Sequence, residues 1–201
     1  MPRTTRTFIA IPIPAPLGEK LSRLRTQLAL AVPGARWTAT EPFHMTLAFL
    51  GDVAELDLNE VCRAVGEAAG PFPRFDLRLE GVGAFPGPAR PRVIWAGLTA
   101  DDLSPLHAMQ QAVARAAAGV GYRSDDQRFN PHITLGRIKS DRRGPSPPDL
   151  TKALERYRTW TGGSFTVREV VTFGSTLTPE GPAYTPLAKS PLAGRKTDAS
   201  P

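Results

Sequence analysis

One cysteine, Cys62, among 201 residues excludes an internal disulfide. Its place in the run Val61-Cys62-Arg63-Ala64-Val65 reads as a small buried side chain on a helix, and a reducing cytoplasm is the simplest setting. No apolar run approaches the roughly 20 residues of a membrane span. The N-terminus, Met1-Pro2-Arg3-Thr4-Thr5-Arg6, leads into a short strand without the hydrophobic segment of a secretion signal. A soluble, cytoplasmic, monomeric protein with no membrane partner is therefore expected. Acidic residues are fewer than basic ones, 19 against 25, and the net charge of +6 favours an anionic partner, nucleic acid first. Histidine is scarcer still, with three in the chain.

Two of those three histidines open the same pattern: His44-Met45-Thr46-Leu47 and, 88 residues later, His132-Ile133-Thr134-Leu135. Chance would place H-x-T-L at two of three histidines in about one of 10⁴ such chains. Both copies lie in apolar, strand-like runs, Phe43 to Leu50 and Ile133 to Ile138, and successive strand side chains point to opposite faces. His and Thr at i and i+2 therefore share a face, while Met45, Leu47, Ile133 and Leu135 point the other way into a core. The remaining histidine, His107 in Leu106-His107-Ala108-Met109, has no such neighbours and reads as the edge of a helix's buried stripe.

The surroundings are duplicated too. Apolar strands at Phe8-Ile9-Ala10-Ile11 and Val93-Ile94-Trp95-Ala96 begin 36 and 39 residues before the respective histidines, each followed by a helical stretch. Leu17, Leu21, Leu24 and Leu28 mark a helix over Leu17 to Val32, stopped by Pro33-Gly34. Further helices are expected at Glu55 to Ala69, Leu103 to Ala118 and Asp149 to Trp160. Strands are expected around Phe75 to Leu79, Phe165 to Val167 and Val170-Val171. Lys139 to Pro148 reads as a loop rich in Pro, Gly and Arg.

These elements describe an α+β protein: two pseudo-symmetric lobes with antiparallel sheets flanked by helices, and an active-site cleft between them. Residues 1–189 form a single domain of two lobes on this reading. Residues 190–201, Ser190 to Pro201, have almost no apolar content and form a disordered tail.

Two imidazoles across a cleft suit a reaction that needs a base and an acid on opposite sides of an electrophile. In-line displacement at phosphorus makes that demand, and two threonine hydroxyls can donate hydrogen bonds to the non-bridging oxygens. A zinc site needs three or four ligands, and neither histidine has a Cys, His, Asp or Glu companion at ligand spacing. No metal and no cofactor are expected. A non-catalytic RNA-binding module is the rival of another class; the intact His/Thr pairs count against it. Basic residues gather around the second motif, with Arg123 and Arg128 before it and Arg137, Lys139, Arg142 and Arg143 after it.

The stretches HMTLAFLG (44–51), RVIWAGL (92–98), FNPHITLGR (129–137) and STLTPEGPAYTPL (175–187) resemble the 2H phosphoesterases. Within that family they are similar to the RNA 2′,3′-cyclic phosphodiesterases, also called 2′-5′ RNA ligases, of bacteria and archaea. The resemblance runs from about Arg6 to Leu187 and implies an RNA-processing hydrolase. Such an enzyme opens a terminal 2′,3′-cyclic phosphate to a 2′-phosphomonoester without metal or nucleotide cofactor. It implies His44 as proton donor to the departing 3′-oxygen, His132 as proton acceptor from water, and Thr46 and Thr134 as phosphate-binding groups. RNA with a 2′,3′-cyclic phosphate end, such as a tRNA half, would be the partner, with 2′-5′ ligation or a small cyclic nucleotide as related alternatives. The resemblance also implies a phosphate contact from Arg137. Strict alternation, however, turns Arg137 away from the face of His132 and Thr134, and it reaches the cleft only if the strand bends or ends at Gly136.

Overall fold

A computed structural model of the chain describes residues 3–38, 42–124, 129–138, 149–179 and 181–195. In chain order the elements are β1 (Thr4–Pro12), α1 (Ala15–Ala31), β2 (Ala35–Trp37), β3 (His44–Ala54) and α2 (Leu58–Ala69). Next come β4 (Phe75–Phe85), β5 (Val93–Thr99), α3 (Ser104–Gly119), β6 (His132–Ile138), α4 (Thr151–Glu155), β7 (Thr161–Val167), β8 (Glu169–Thr178) and β9 (Gly181–Pro191). Proline early in the first turn starts α1, where a missing N–H costs nothing, and Leu21, Leu24 and Leu28 form its buried stripe. Gly34, at φ 87°, turns the chain out of the helix and into β2.

The strands form two antiparallel sheets, ordered β3-β1-β8-β9 and β2-β6-β5-β4-β7. Aligning β1 with β5 superimposes the two orders, with β3 on β6, β8 on β4 and β9 on β7; β2 is the one strand without a counterpart. This is the α+β, two-lobed architecture read from the sequence. The helices cross between lobes. Helix α1 follows β1 of the first sheet but packs on β2, β6 and β7 of the second, while α3 follows β5 of the second sheet and packs on β3 of the first. One continuous core results, running from Ile9 and Leu21 through Leu47 and Ile94 to Leu135. Each fully buried aliphatic side chain in it contributes roughly 1.5–3 kcal/mol, and α1 and α3 each bury side chains against the other lobe's sheet. No helix among the described residues is long and apolar enough to cross a membrane.

Three expectations change. The helix read over Asp149 to Trp160 is one turn and a half, Thr151–Glu155. Beyond it the backbone closes i→i+3 turns, and the Trp160 carbonyl is taken by the Gly81 N–H at 2.8 Å, which leads directly into β7. Cys62 lies on α2 as expected but is half-buried, not enclosed. The boundary at residue 190 is also displaced. Ser190 lies within β9, and Leu192 is 2% exposed in the main core. The N–H groups of Ala193 and Gly194 donate to the carbonyls of Gly70 and Phe72, both at 3.0 Å. With the Leu192 N–H donating to the Arg168 carbonyl at 2.8 Å, three backbone bonds and one buried leucine hold this segment. Lys139 to Pro148 and residues 196–201 lie outside the described residues.

Leu192→Ala is expected to destabilise the protein by about 2–5 kcal/mol, the cost of emptying a buried leucine site. Urea unfolding measures this, and a change below about 0.5 kcal/mol, typical of surface positions, would contradict the placement.

Candidate active site

Each motif strand alternates as its sequence demands, and then breaks the alternation at the same point. From His44 and from His132 the six residues run partly buried, buried, partly buried, buried, buried, exposed. The register explains the repeat of buried positions. On β1, Ala10 pairs with Thr46 and Ile9 with Ala48, leaving Leu47 as an extra residue; on β5, Trp95 pairs with Thr134 and Ile94 with Gly136, leaving Leu135. These are β-bulges, one per motif, and each shifts the following side chains by one face. The bulged leucines stay in the core at 0% exposure. The residue two further on swings into the cleft: Phe49 in the first lobe and Arg137 in the second. Arg137 thus lines the same cleft as His132 and Thr134, contrary to strict alternation.

The cleft between the sheets has a volume of about 650 Å³ and is lined by His44, Thr46, His132, Thr134 and Arg137 together. Both imidazoles are oriented by the same device. Nδ1 of His44 lies 3.3 Å from the Pro42 carbonyl oxygen, and Nδ1 of His132 lies 2.7 Å from that of Asn130. A carbonyl only accepts, so Nδ1 carries the hydrogen in each ring and Nε2 is the atom that gains or gives a proton. Aromatic rings wall each histidine: Phe8 and Tyr184 have centroids 4.9 and 5.1 Å from His44, and Phe85 stands edge-on to His132 at 5.0 Å. Burial among these rings pushes the His44 imidazole below its ordinary pKa, and the bond to Pro42 only partly offsets this. Alone at neutral pH, His44 is the neutral form.

A bulge leaves backbone groups without their ladder partners, and the two lobes meet this need differently. In the first, the buried Gln110 of α3 donates from Nε2 to the Leu47 carbonyl at 3.1 Å. In the second, Thr38 does so: its N–H reaches the Leu135 carbonyl at 2.9 Å and its hydroxyl the Thr134 carbonyl at 3.2 Å.

Among the aromatic residues near the motifs in sequence, Phe8, Phe43 and Trp37 all border the cleft, Phe8 and Phe43 with only 4% and 2% of their surface exposed. Phe49, which sequence reasoning passed over, is 49% exposed within it. Its signal was present: Phe49 stands five residues after His44, as Arg137 does after His132. His107 packs its edge on Phe129 at 5.6 Å and does not line the cleft. Arg123 is described but also lies away from the cleft lining, and Arg128, Lys139, Arg142 and Arg143 lie outside the described residues. Among the described residues, no three His, Cys, Asp or Glu side chains gather where they could hold a metal ion.

Two lobes of this topology with one H-x-T-L motif each define a phosphoesterase of the two-histidine class. The LigT-like phosphoesterase family model matches residues 11–95 and 99–184, one motif in each stretch, and the chain belongs to that family. It is 36% identical over 180 residues to the RNA 2′,3′-cyclic phosphodiesterase of Aeropyrum pernix, covering 88% of this chain and 98% of that one. It is 32% identical over 194 residues to the protein of the same name from Aquifex aeolicus, covering 96% and 100%. Among solved structures it is similar to TT0787 of Thermus thermophilus (TM-score 0.74, 28% identity, 94% and 98% covered). It is similar also to E. coli LigT complexed with 3′-AMP (TM-score 0.72, 27% identity, 94% and 99% covered).

Gln110→Leu should leave the Leu47 carbonyl buried and unpaired. The expected cost is about 1–3 kcal/mol of stability, together with lower turnover, because the bulge that follows His44 and Thr46 is no longer held. Thermal unfolding and kcat measured on the same preparation test this. A variant as stable as the parent would show that the bond carries nothing.

Proposed function

We propose that the protein hydrolyses the terminal 2′,3′-cyclic phosphate of RNA to a 2′-phosphomonoester, and that it does so with two histidines and no metal. The observation that carries this reading is the convergence of two carbonyl-anchored imidazoles, two threonine hydroxyls and Arg137 on a single cleft. His132 Nε2 takes a proton from water as the water oxygen bonds to phosphorus. The bond from phosphorus to the 3′-oxygen breaks on the far side, and His44 Nε2 supplies the proton that makes it a hydroxyl. Thr46, Thr134 and Arg137 donate to the non-bridging oxygens, where negative charge concentrates. The exposed ring of Phe49 offers a stacking face to the terminal base, a sequence-tolerant contact.

The acid role of His44 sets a condition. A ring neutral in the free enzyme must be protonated when substrate is bound, and the phosphate anion beside it supplies the cause, since an opposite charge at a few ångströms favours the imidazolium. Binding a nucleoside 2′-phosphate at pH 7 should therefore take up a proton. Calorimetry in buffers of different ionisation enthalpy reads the uptake, with His44→Asn giving the ligand's own contribution. Equal uptake by both forms would remove His44 from the acid role.

Replacing His44 or His132 by Ala should lower kcat/KM on a cyclic-phosphate-ended oligonucleotide by about 10²- to 10⁴-fold, the usual value of a positioned acid or base. Thr46→Ala and Thr134→Ala should cost about 10- to 10³-fold, and chelators should leave the parent rate unchanged. A rate that collapses in EDTA and returns with zinc or magnesium would overturn the metal-free mechanism; near-parental rates in either histidine variant would overturn the acid–base pair.

A further inference from the structure

The β2–β6 ladder pairs Arg36 directly with Arg137. Directly opposed residues of an antiparallel pair share a face with Cβ atoms about 4.5–5.5 Å apart, and like charges in that position repel. A guanidinium is a permanent cation in proteins. Both are exposed and both line the cleft. Among the described residues neither has an acidic partner, the ion pairs being made by Arg63, Arg78, Arg158 and Lys189. The repulsion is thus left standing, and an anion between or beside the two is what relieves it.

Strand β2 is also the strand that breaks the two-fold pattern, and it is held firmly for three residues. Trp37 lies so closely over Gly136 that a Cβ there would come 2.8 Å from its ring. Thr38 is bonded to the Thr134 and Leu135 carbonyls, and Arg25 donates to the Thr38 carbonyl. Arg36 therefore stands at a fixed place, one strand further from the reaction centre than Arg137. The reacting phosphate is already met by Thr46, Thr134 and Arg137, so a cation one strand outward answers to a second phosphate. A nucleotide with a 2′,3′-cyclic phosphate at its end has one other phosphate within a nucleotide's reach, the phosphodiester on its 5′ side.

We propose that Arg36 is the subsite for that 5′ phosphodiester and the residue that lets the enzyme prefer an RNA end to a cyclic mononucleotide. The inference rests on the hydrolytic reading above. It commits to a nucleic-acid phosphate one nucleotide inward from the reacting group.

The test compares Arg36→Gln with the parent on two substrates having the same reacting end, a trinucleotide with a 2′,3′-cyclic phosphate and the 2′,3′-cyclic mononucleotide. On the trinucleotide kcat/KM should fall about 10-fold, as expected for a lost charge-assisted bond. The log–log salt dependence of its binding should flatten by about 0.7, the value for one phosphate of a single strand. On the mononucleotide the change should stay within about twofold, and Arg36→Lys should retain most of the trinucleotide rate. The melting temperature should be unchanged or higher, since a like-charge contact has gone. Equal loss on both substrates, no loss on either, or a lowered melting temperature with both rates reduced overturns the subsite. Should the parent hydrolyse neither substrate, the hydrolytic reading fails by itself. The subsite is then judged by direct binding of a 2′-phosphate-ended trinucleotide against a nucleoside 2′-phosphate: weaker binding of the trinucleotide alone by Arg36→Gln supports it, and any other pattern rejects it.

Discussion

The paired bulges at Leu47 and Leu135 are the constraint on which the site depends. A regular strand can present residues i and i+2 to a cleft, which suffices for a histidine and a threonine. It cannot also present i+5, because five is odd and the side-chain period is two. One extra residue per strand removes the conflict: Leu47 and Ala48, or Leu135 and Gly136, face the core in succession, and the next side chain emerges beside the threonine. The second of the two inward residues is small in both lobes. At 136 it can only be small, for the Trp37 ring occupies the space where a Cβ would sit.

Once the two motifs are built alike, their differences carry meaning. The bulge delivers an aromatic ring in one lobe and a guanidinium in the other. A cleft with true two-fold symmetry would serve either orientation of a phosphodiester equally. Phe49 on one side and Arg137 on the other give it a direction, with a stacking surface on the β3 wall and positive charge on the β6 wall. The satisfaction of the bulges is unequal in a corresponding way. Gln110 comes from a helix that packs across the lobe boundary, so the geometry of His44 is tied to the shared core. Thr38 directly follows the edge strand that carries Arg36, so the geometry of the second motif is tied to the charged rim.

Much of this was legible in the sequence. The His/Thr pairs, the faces of Met45, Leu47, Ile133 and Leu135, the leucine stripe of α1 and the repeated strand–helix–motif order follow from local periodicity, and the structure keeps them. What escaped depends on partners distant in the chain. The turn of Arg137 into the cleft is decided by a pairing with β5, some forty residues away in sequence, and no local pattern at Gly136 specifies the bulge. After the short α4 the chain is taken up by Gly81 of β4, whose N–H takes the Trp160 carbonyl. Leu192 stands in a polar segment, and nothing nearby in sequence shows that Gly70 and Phe72 offer carbonyls to the residues that follow it.

On the proposed acid role of His44, the electrostatics of the cleft make its charged form conditional on the ligand. His44 is placed among Phe8, Phe173 and Tyr184, an environment that opposes its charged form. Arg6 and Arg137 line the same cleft. Burial therefore opposes a charge on the proposed acid in the empty cleft. A bound phosphodiester would work the other way, because it sets a negative charge beside the imidazolium. On the proposed mechanism, the proton needed by the leaving oxygen is then recruited by the group that is to be cleaved. Such an arrangement disfavours a charged His44 in the empty cleft and favours one where the phosphate to be attacked already lies.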